Sequence, residues 1–151
     1  MKIRRLERAD YSGLIEVMQD FQLSCGIRQI AQGQKNEEHI RQVLLRCEKG
    51  GLSFVGEDHG QIQGTLLSLT VPDLWMPQTL FLREIAWYVR EEYRGTTMGA
   101  RLFAAYKNTA EEWLKQGRIK GFTMTKLHNS PDFDYERRGF KYVESQYMFG
   151  E

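Results

Sequence analysis

Between Trp87 and Leu102 the chain reads WYVREEYRGTTMGARL, and the residue types that could do chemistry crowd there. An apolar run stops at Val89, a turn carries Arg94, Gly95, Thr96, Thr97, Met98 and Gly99, and a helix-forming stretch follows. Free N–H groups at a helix N-terminus attract anions, and small residues let the backbone approach them closely. With Arg94 adding a charge-assisted contact, the segment predicts a cradle for a phosphate or pyrophosphate. A strand–turn–helix unit of this kind also serves as a plain packing connection, and both readings stand at this point. Upstream, Glu84 interrupts the apolar run TLFLREIAWYV at 79–89. A carboxylate in such a run either lines a cleft or pairs with a neighbour, since charged groups are almost never buried unpaired. Period-two alternation puts it on one face with Ala86 and Tyr88 unless a bulge intervenes.

The elements that must position these groups follow from periodicity. Residues 2–6 read as a short strand, and Asp10 as the N-cap of a helix whose Leu14, Ile15, Met18 and Phe21 share one face up to about residue 24. The polar stretch 26–35 reads as a loop. Asn36 caps a second helix with Glu37 and Glu38 in its first turn, an apolar stripe of Ile40, Val43, Leu44 and Cys47, and a stop at Gly50 and Gly51. LSFVGE, the turn Asp58-His59-Gly60 and QIQGTLLSLTV form a hairpin. Residues 79–89 read as a central strand, and Met98, Leu102, Phe103, Tyr106, Ala110 and Trp113 trace a long helix stopped by Gly117. A strand over 119–127, a short helix over 131–138 and a last strand over 140–149 complete the order β-α-α-β-β-β-α-β-α-β, an α/β (α+β) arrangement in which helices flank a mixed, mostly antiparallel sheet.

Two motifs in this frame resemble the GNAT N-acetyltransferase superfamily. The family's acyl-CoA-binding motif, Arg/Gln-x-x-Gly-x-Gly/Ala, lies between its fourth strand and third helix. Residues 94–99 read RGTTMG, with Thr97 where the motif has Gly. YERRGF at 135–140 is similar to the family's Tyr-x-x-x-Gly-Phe. The resemblance covers nearly the whole chain. It implies acetyl-CoA as co-substrate, its pantetheine arm along Trp87, Tyr88 and Val89, its pyrophosphate on residues 94–99, and Asn129 touching the cofactor. It further implies direct attack by a primary amine of a small molecule, peptide or protein, with a backbone N–H of the fourth strand polarising the thioester carbonyl. Tyr135, four residues before Gly139, is the candidate acid at the departing sulfur, or else a helix-end Tyr packed on the core. Glu84 is the candidate base, or a carboxylate held by a neighbour, with water serving as base. A catalytically silent acyl-CoA-binding or interaction module on the same fold is the competing reading, and Thr97 is its foothold.

Composition narrows the classes. The 151 residues suit a single domain, 1–151, that needs no disulfide or metal staple. Near balance of 21 basic and 20 acidic residues argues against a dedicated nucleic-acid binder. Cys25 and Cys47 lack Cys-x-x-Cys spacing and His partners, which predicts buried thiols in a reducing compartment and no metal. The charged start MKIRRLERAD is no signal peptide, and nothing approaches the ~20 apolar residues of a membrane span. The expectation is a cytoplasmic protein without membrane contact, open to homodimer formation. His39, His59 and His128 read as solvated, the basic cluster Arg137, Arg138 and Lys141 as an ordinary exposed face, and Tyr11, Phe21 and Trp75 as core or loop anchors.

Overall fold

The apolar run at 79–89 becomes the middle of the functional half of the sheet. In the computed structural model, which describes residues 1–150, five strands lie in the order β1 (Lys2–Arg5), β2 (Phe54–Asp58), β3 (Gln61–Pro72), β4 (Leu80–Val89) and β5 (Gly121–Thr123). Neighbours are antiparallel except β4 and β5, which run parallel. Helices α1 (Tyr11–Ser24) and α3 (Glu37–Lys49) cover one face, α5 (Met98–Lys115) the other, and α2 (Arg28–Ala31) and α4 (Glu91–Arg94) are single turns.

Local chemistry explains the helix ends. The Asn36 side chain accepts the His39 N–H and caps α3 as expected. Asp10 does stand at the N-cap of α1, but its carboxylate accepts from the Arg4 guanidinium and the Glu7 N–H instead of capping. At the other end of α5, Gly117 takes the left-handed conformation at φ 73°, with Arg118 N–H bonded to Trp113 O and Gly117 N–H to Leu114 O, a Schellman stop.

Two cores lie back to back across the sheet. On the first face Leu14, Ile15 and Val17 of α1 and Leu44 of α3 pack on Val55, Leu67, Ala86 and Tyr88. On the second, Met98, Leu102, Tyr106 and Ala110 of α5 pack on Leu66, Leu82 and Phe54. Full burial of each leucine, isoleucine, valine, methionine or phenylalanine among them contributes about 1.5–3 kcal/mol. Both cysteines are free and buried, and burial pushes the Cys47 thiol up to about 11, so it behaves as a small hydrophobe.

The C-terminal third departs from the sequence reading. The strand expected over 119–127 is confined to Gly121–Thr123, the helix over 131–138 shrinks to a 3-10 turn at Glu136–Arg138, and no strand forms over 140–149. The loop expected at 26–35 contains α2. Phe133 and Tyr135 dock separately on Phe103, which keeps the chain extended until the turn. Beyond Thr123 the chain leaves the sheet, so residues 141–149 have no ladder to join; Tyr147 and Phe149 stay exposed. That segment touches the body through Glu144 at 3.9 Å from Arg83 and through Gly150 O, which accepts from Gln29.

Candidate active site

β4 is paired on both edges only over Phe81–Arg83, where it meets Leu69–Val71 of β3 and Gly121–Thr123 of β5. Past Arg83 it keeps β3 alone, and a fork opens on its other edge. Glu84 sits where the fork begins. A bulge marks the spot: Ser68 pairs with Glu84 and Leu67 with Ala86, leaving Ile85 without a partner in the ladder. The extra residue inverts the alternation. Ala86 and Tyr88 belong to the core under α1 and α3, whereas Leu82, Trp87 and Val89 belong to the core under α5. Glu84 shares the face of Leu82, so it lies on the α5 side and not with Ala86 and Tyr88 as alternation predicts.

The Glu84 carboxyl is 5% exposed and bridges the fork, with Oε2 accepting the Thr125 N–H at 2.9 Å. Burial pushes its pKa from 4.5 up to about 7, against the backbone and side-chain hydrogen bonds of Thr125, which pull it down. The Tyr135 hydroxyl donates to Thr125 O at 3.5 Å, so the two titratable candidates meet on one residue. Burial first, and then the Glu84 charge, push the Tyr135 phenol up, so it stays protonated at neutral pH. Thr125 drew no attention in the sequence. Its signal was the TMTKL alternation, which sets Thr123 and Thr125 on one face.

At the far end of β4 the turn is ordered by its own groups. Arg90 N–H bonds Gln63 O, Thr96 N–H bonds Tyr93 O, and the Thr96 hydroxyl donates to Tyr93 O at 2.6 Å while accepting the Met98 N–H at 3.2 Å. Arg94 Nε donates to Val89 O at 3.2 Å, with its guanidinium 5.4 Å from the Tyr88 ring centroid. The Met98 side chain is fully buried, and its N–H is already taken by Thr96, so Met98 anchors α5 and offers a ligand little. Gly95 and Gly99 are different. A Cβ on Gly95 would meet nothing within 4 Å, and one on Gly99 only ordinary contacts with Val89 and Trp87. Neither glycine has a positive φ. Neither packing nor backbone conformation demands glycine at these positions, and the space in front of them suits a ligand approaching the first-turn N–H groups of α5.

Around the fork lies an aromatic wall. Phe133 packs edge-on against Trp87 at 5.1 Å and Phe103 at 4.8 Å, and Tyr135 against Phe133 at 4.8 Å. A cavity of about 490 Å³ lies beside it, lined by Phe103, Lys107, Asn108, Phe133 and Arg138 among others. Tyr88 turns to the opposite face, its ring 5.3 Å from Phe21. Asn129 is placed apart from the cradle. Its Nδ2 donates to Ser24 O at 3.1 Å, and with His128 it packs against Gly26, holding the loop after α1. Arg137 and Arg138 are exposed, Trp75 stands out into solvent at 83% exposure, and Tyr11 is buried in the first core. Among the described residues no cluster of three His, Cys, Asp or Glu could hold a metal ion, and no helix is long and apolar enough to cross a membrane.

A forked mixed sheet of this kind, with helices on both faces, is the GNAT acetyltransferase fold. Solved structures superpose on it over nearly the whole chain. A predicted acetyltransferase with acetyl-CoA from Clostridium acetobutylicum matches at TM-score 0.74 and 13% identity, covering 99% of this chain and 95% of that one. An acetyltransferase from Trypanosoma brucei matches at TM-score 0.68 and 18% identity, covering 99% and 98%. An aminoglycoside acetyltransferase from an uncultured soil metagenomic sample, in complex with trehalose, matches at TM-score 0.67 and 17% identity, covering 99% and 93%. No protein-family model matches the sequence, and no curated protein matches it.

Proposed function

We propose that this chain is an acetyl-CoA-dependent N-acetyltransferase that moves an acetyl group directly to a primary amine of a small molecule, peptide or protein. The observation that carries the reading is the fork itself: a buried carboxyl with a pKa near 7 at its base, and open glycine positions before a helix N-terminus at its far end. The co-substrate, when bound, supplies an activated acetyl thioester. The α5 first turn at Gly99, with the space before Gly95 and the Thr96 and Thr97 corner, would hold its pyrophosphate. Arg94, though it braces Val89, has its guanidinium at the same corner. The edge of β4 that β5 leaves open past Arg83 runs along Trp87 and Tyr88 to Val89, whose carbonyl Arg94 holds, and offers its free backbone groups to an extended arm.

Glu84 accepts the proton that the amine must lose, because a group titrating near 7 is partly ionised at neutral pH yet basic enough to take it. Tyr135 donates a proton or hydrogen bond to the departing thiolate from the other side of Thr125. Asn129, expected at the cofactor, instead holds the end of α1 through Ser24 O. Two free, buried thiols suit the reducing cytoplasm, where acetyl-CoA is at hand. A panel of small amines and peptides incubated with acetyl-CoA, read by mass spectrometry, tests the proposal. The expected result is a product heavier by one acetyl group. No product with any amine, together with no effect of acetyl-CoA on the melting temperature, would reject it.

A further inference from the structure

A carboxyl buried this deeply needs either a cation or hydrogen bonds to be held in place. Glu84 has no cation: among the described residues no lysine, arginine or histidine pairs with it. The groups packed around it are otherwise neutral at pH 7. Ser68 lies opposite on β3, its hydroxyl shared between the N–H and C=O of Leu52. Tyr106 of α5 directs its hydroxyl at Thr123 O, 3.5 Å away. Tyr135 directs its own at Thr125 O. On β4 itself Arg83 points to the opposite face, 3.9 Å from Glu144. What remains is Thr125, whose N–H reaches Oε2 at 2.9 Å just past the end of the β5 ladder.

We propose that Thr125 is the positioning residue of this site: it fixes the Glu84 carboxyl across the fork and holds Tyr135 on its carbonyl, so one residue sets the distance between base and acid. The inference rests on the acetyltransferase reading for the roles of Glu84 and Tyr135, though not for the hydrogen bonds. Thr125 lies outside β5, so its N–H is free to serve a side chain. That N–H favours the ionised form of the carboxyl to which it donates. Loss of that N–H alters the protonation of Glu84 without touching the proposed cofactor cradle, which lies at the far end of β4.

The test is the titration of Glu84 itself, followed by NMR in protein labelled at the glutamate carboxyl carbons, with the signal lost in Glu84→Gln as its assignment. The Thr125 amide proton should titrate with the same midpoint as Glu84 and lose that titration in Glu84→Gln, and Thr125→Pro, which removes the N–H, should raise the Glu84 midpoint by about one pH unit. With acetyl-CoA and an accepted amine, a one-unit rise lowers kcat at pH 7 about fivefold by depleting the ionised form, and KM for acetyl-CoA stays put. The amide titration is read in the wild-type protein, so the result does not hinge on the proline variant. A Thr125 amide proton that does not follow the Glu84 titration overturns the proposal. A wild-type chain that acetylates nothing overturns the acetyltransferase reading instead, and the NMR midpoints still judge Thr125.

Discussion

β4 has two seams, and they are built differently. Toward β3 it is paired from Leu80 to Val89 with a single bulge; toward β5 it is paired over three residues and then abandoned. The first seam separates two well-filled cores of Leu, Ile, Val and Met. The second is bordered by aromatic rings at tilted and edge-on angles, an ionisable carboxyl and hydroxyls. Every backbone group on a long ladder is satisfied, which leaves nothing for a ligand. An interrupted ladder leaves donors and acceptors facing a gap. The contrast assigns stability to one side of a strand and chemistry to the other.

Substitutions can break or sharpen that contrast. The largest effect is expected from Glu84→Gln, which should lower kcat by about 100-fold or more and abolish the low-pH limb near pH 7. The same variant should be the more stable protein in alkali. Native Glu84 titrates at about 7 and the unfolded group at 4.5, so the native state holds the extra proton between those values. Its stabilising contribution is present below pH 4.5 and is lost as pH rises through 7, a change of up to about 3 kcal/mol. Denaturation at pH 8 should therefore favour Glu84→Gln, with little difference between the two proteins near pH 4; parallel pH–stability curves would contradict the raised pKa.

Next in size, Leu67→Ala on the β3 seam should cost about 3 kcal/mol of stability and leave kcat unchanged in the folded protein. A large kcat loss there would erase the division between seams. Tyr135→Phe should lower kcat about tenfold while urea midpoints stay close to wild type. Smallest, Gly95→Ala should leave melting within about a degree, because its Cβ meets nothing, yet raise the KM for acetyl-CoA several-fold. An unchanged KM would mean that the space before Gly95 is not used.

The sequence made the first seam plain and the second only in outline. Leu14, Leu67, Leu102 and their partners repeat with helix or strand periods, so their faces could be assigned without coordinates. The turn at 94–99 and the start of α5 were legible because turn residues and a helix-forming stretch are adjacent in the chain. Glu84 was singled out correctly as an odd carboxylate, but its face was wrong, because one unpaired residue at Ile85 inverts alternation and leaves no local mark. Thr125 meets Glu84 across a separation of 41 residues and Tyr135 joins them through Thr125, and no periodicity reports on that. The last strand failed for a related reason: Val143, Tyr147 and Phe149 share one parity as on a strand face, but a strand needs a neighbour, and β5 ends too soon.

The bulge at Ile85 also makes β4 a strand of two parities. Counting inward positions from Leu82 and counting them from Ala86 give opposite answers, so the strand carries an odd offset like a skipped beat. An alignment of this chain with a strand that lacks the bulge must open a one-residue gap there, or it exchanges inside for outside over half of the strand. At 13–18% identity such a slip is easy to make, and it would set Ile85 where Glu84 belongs.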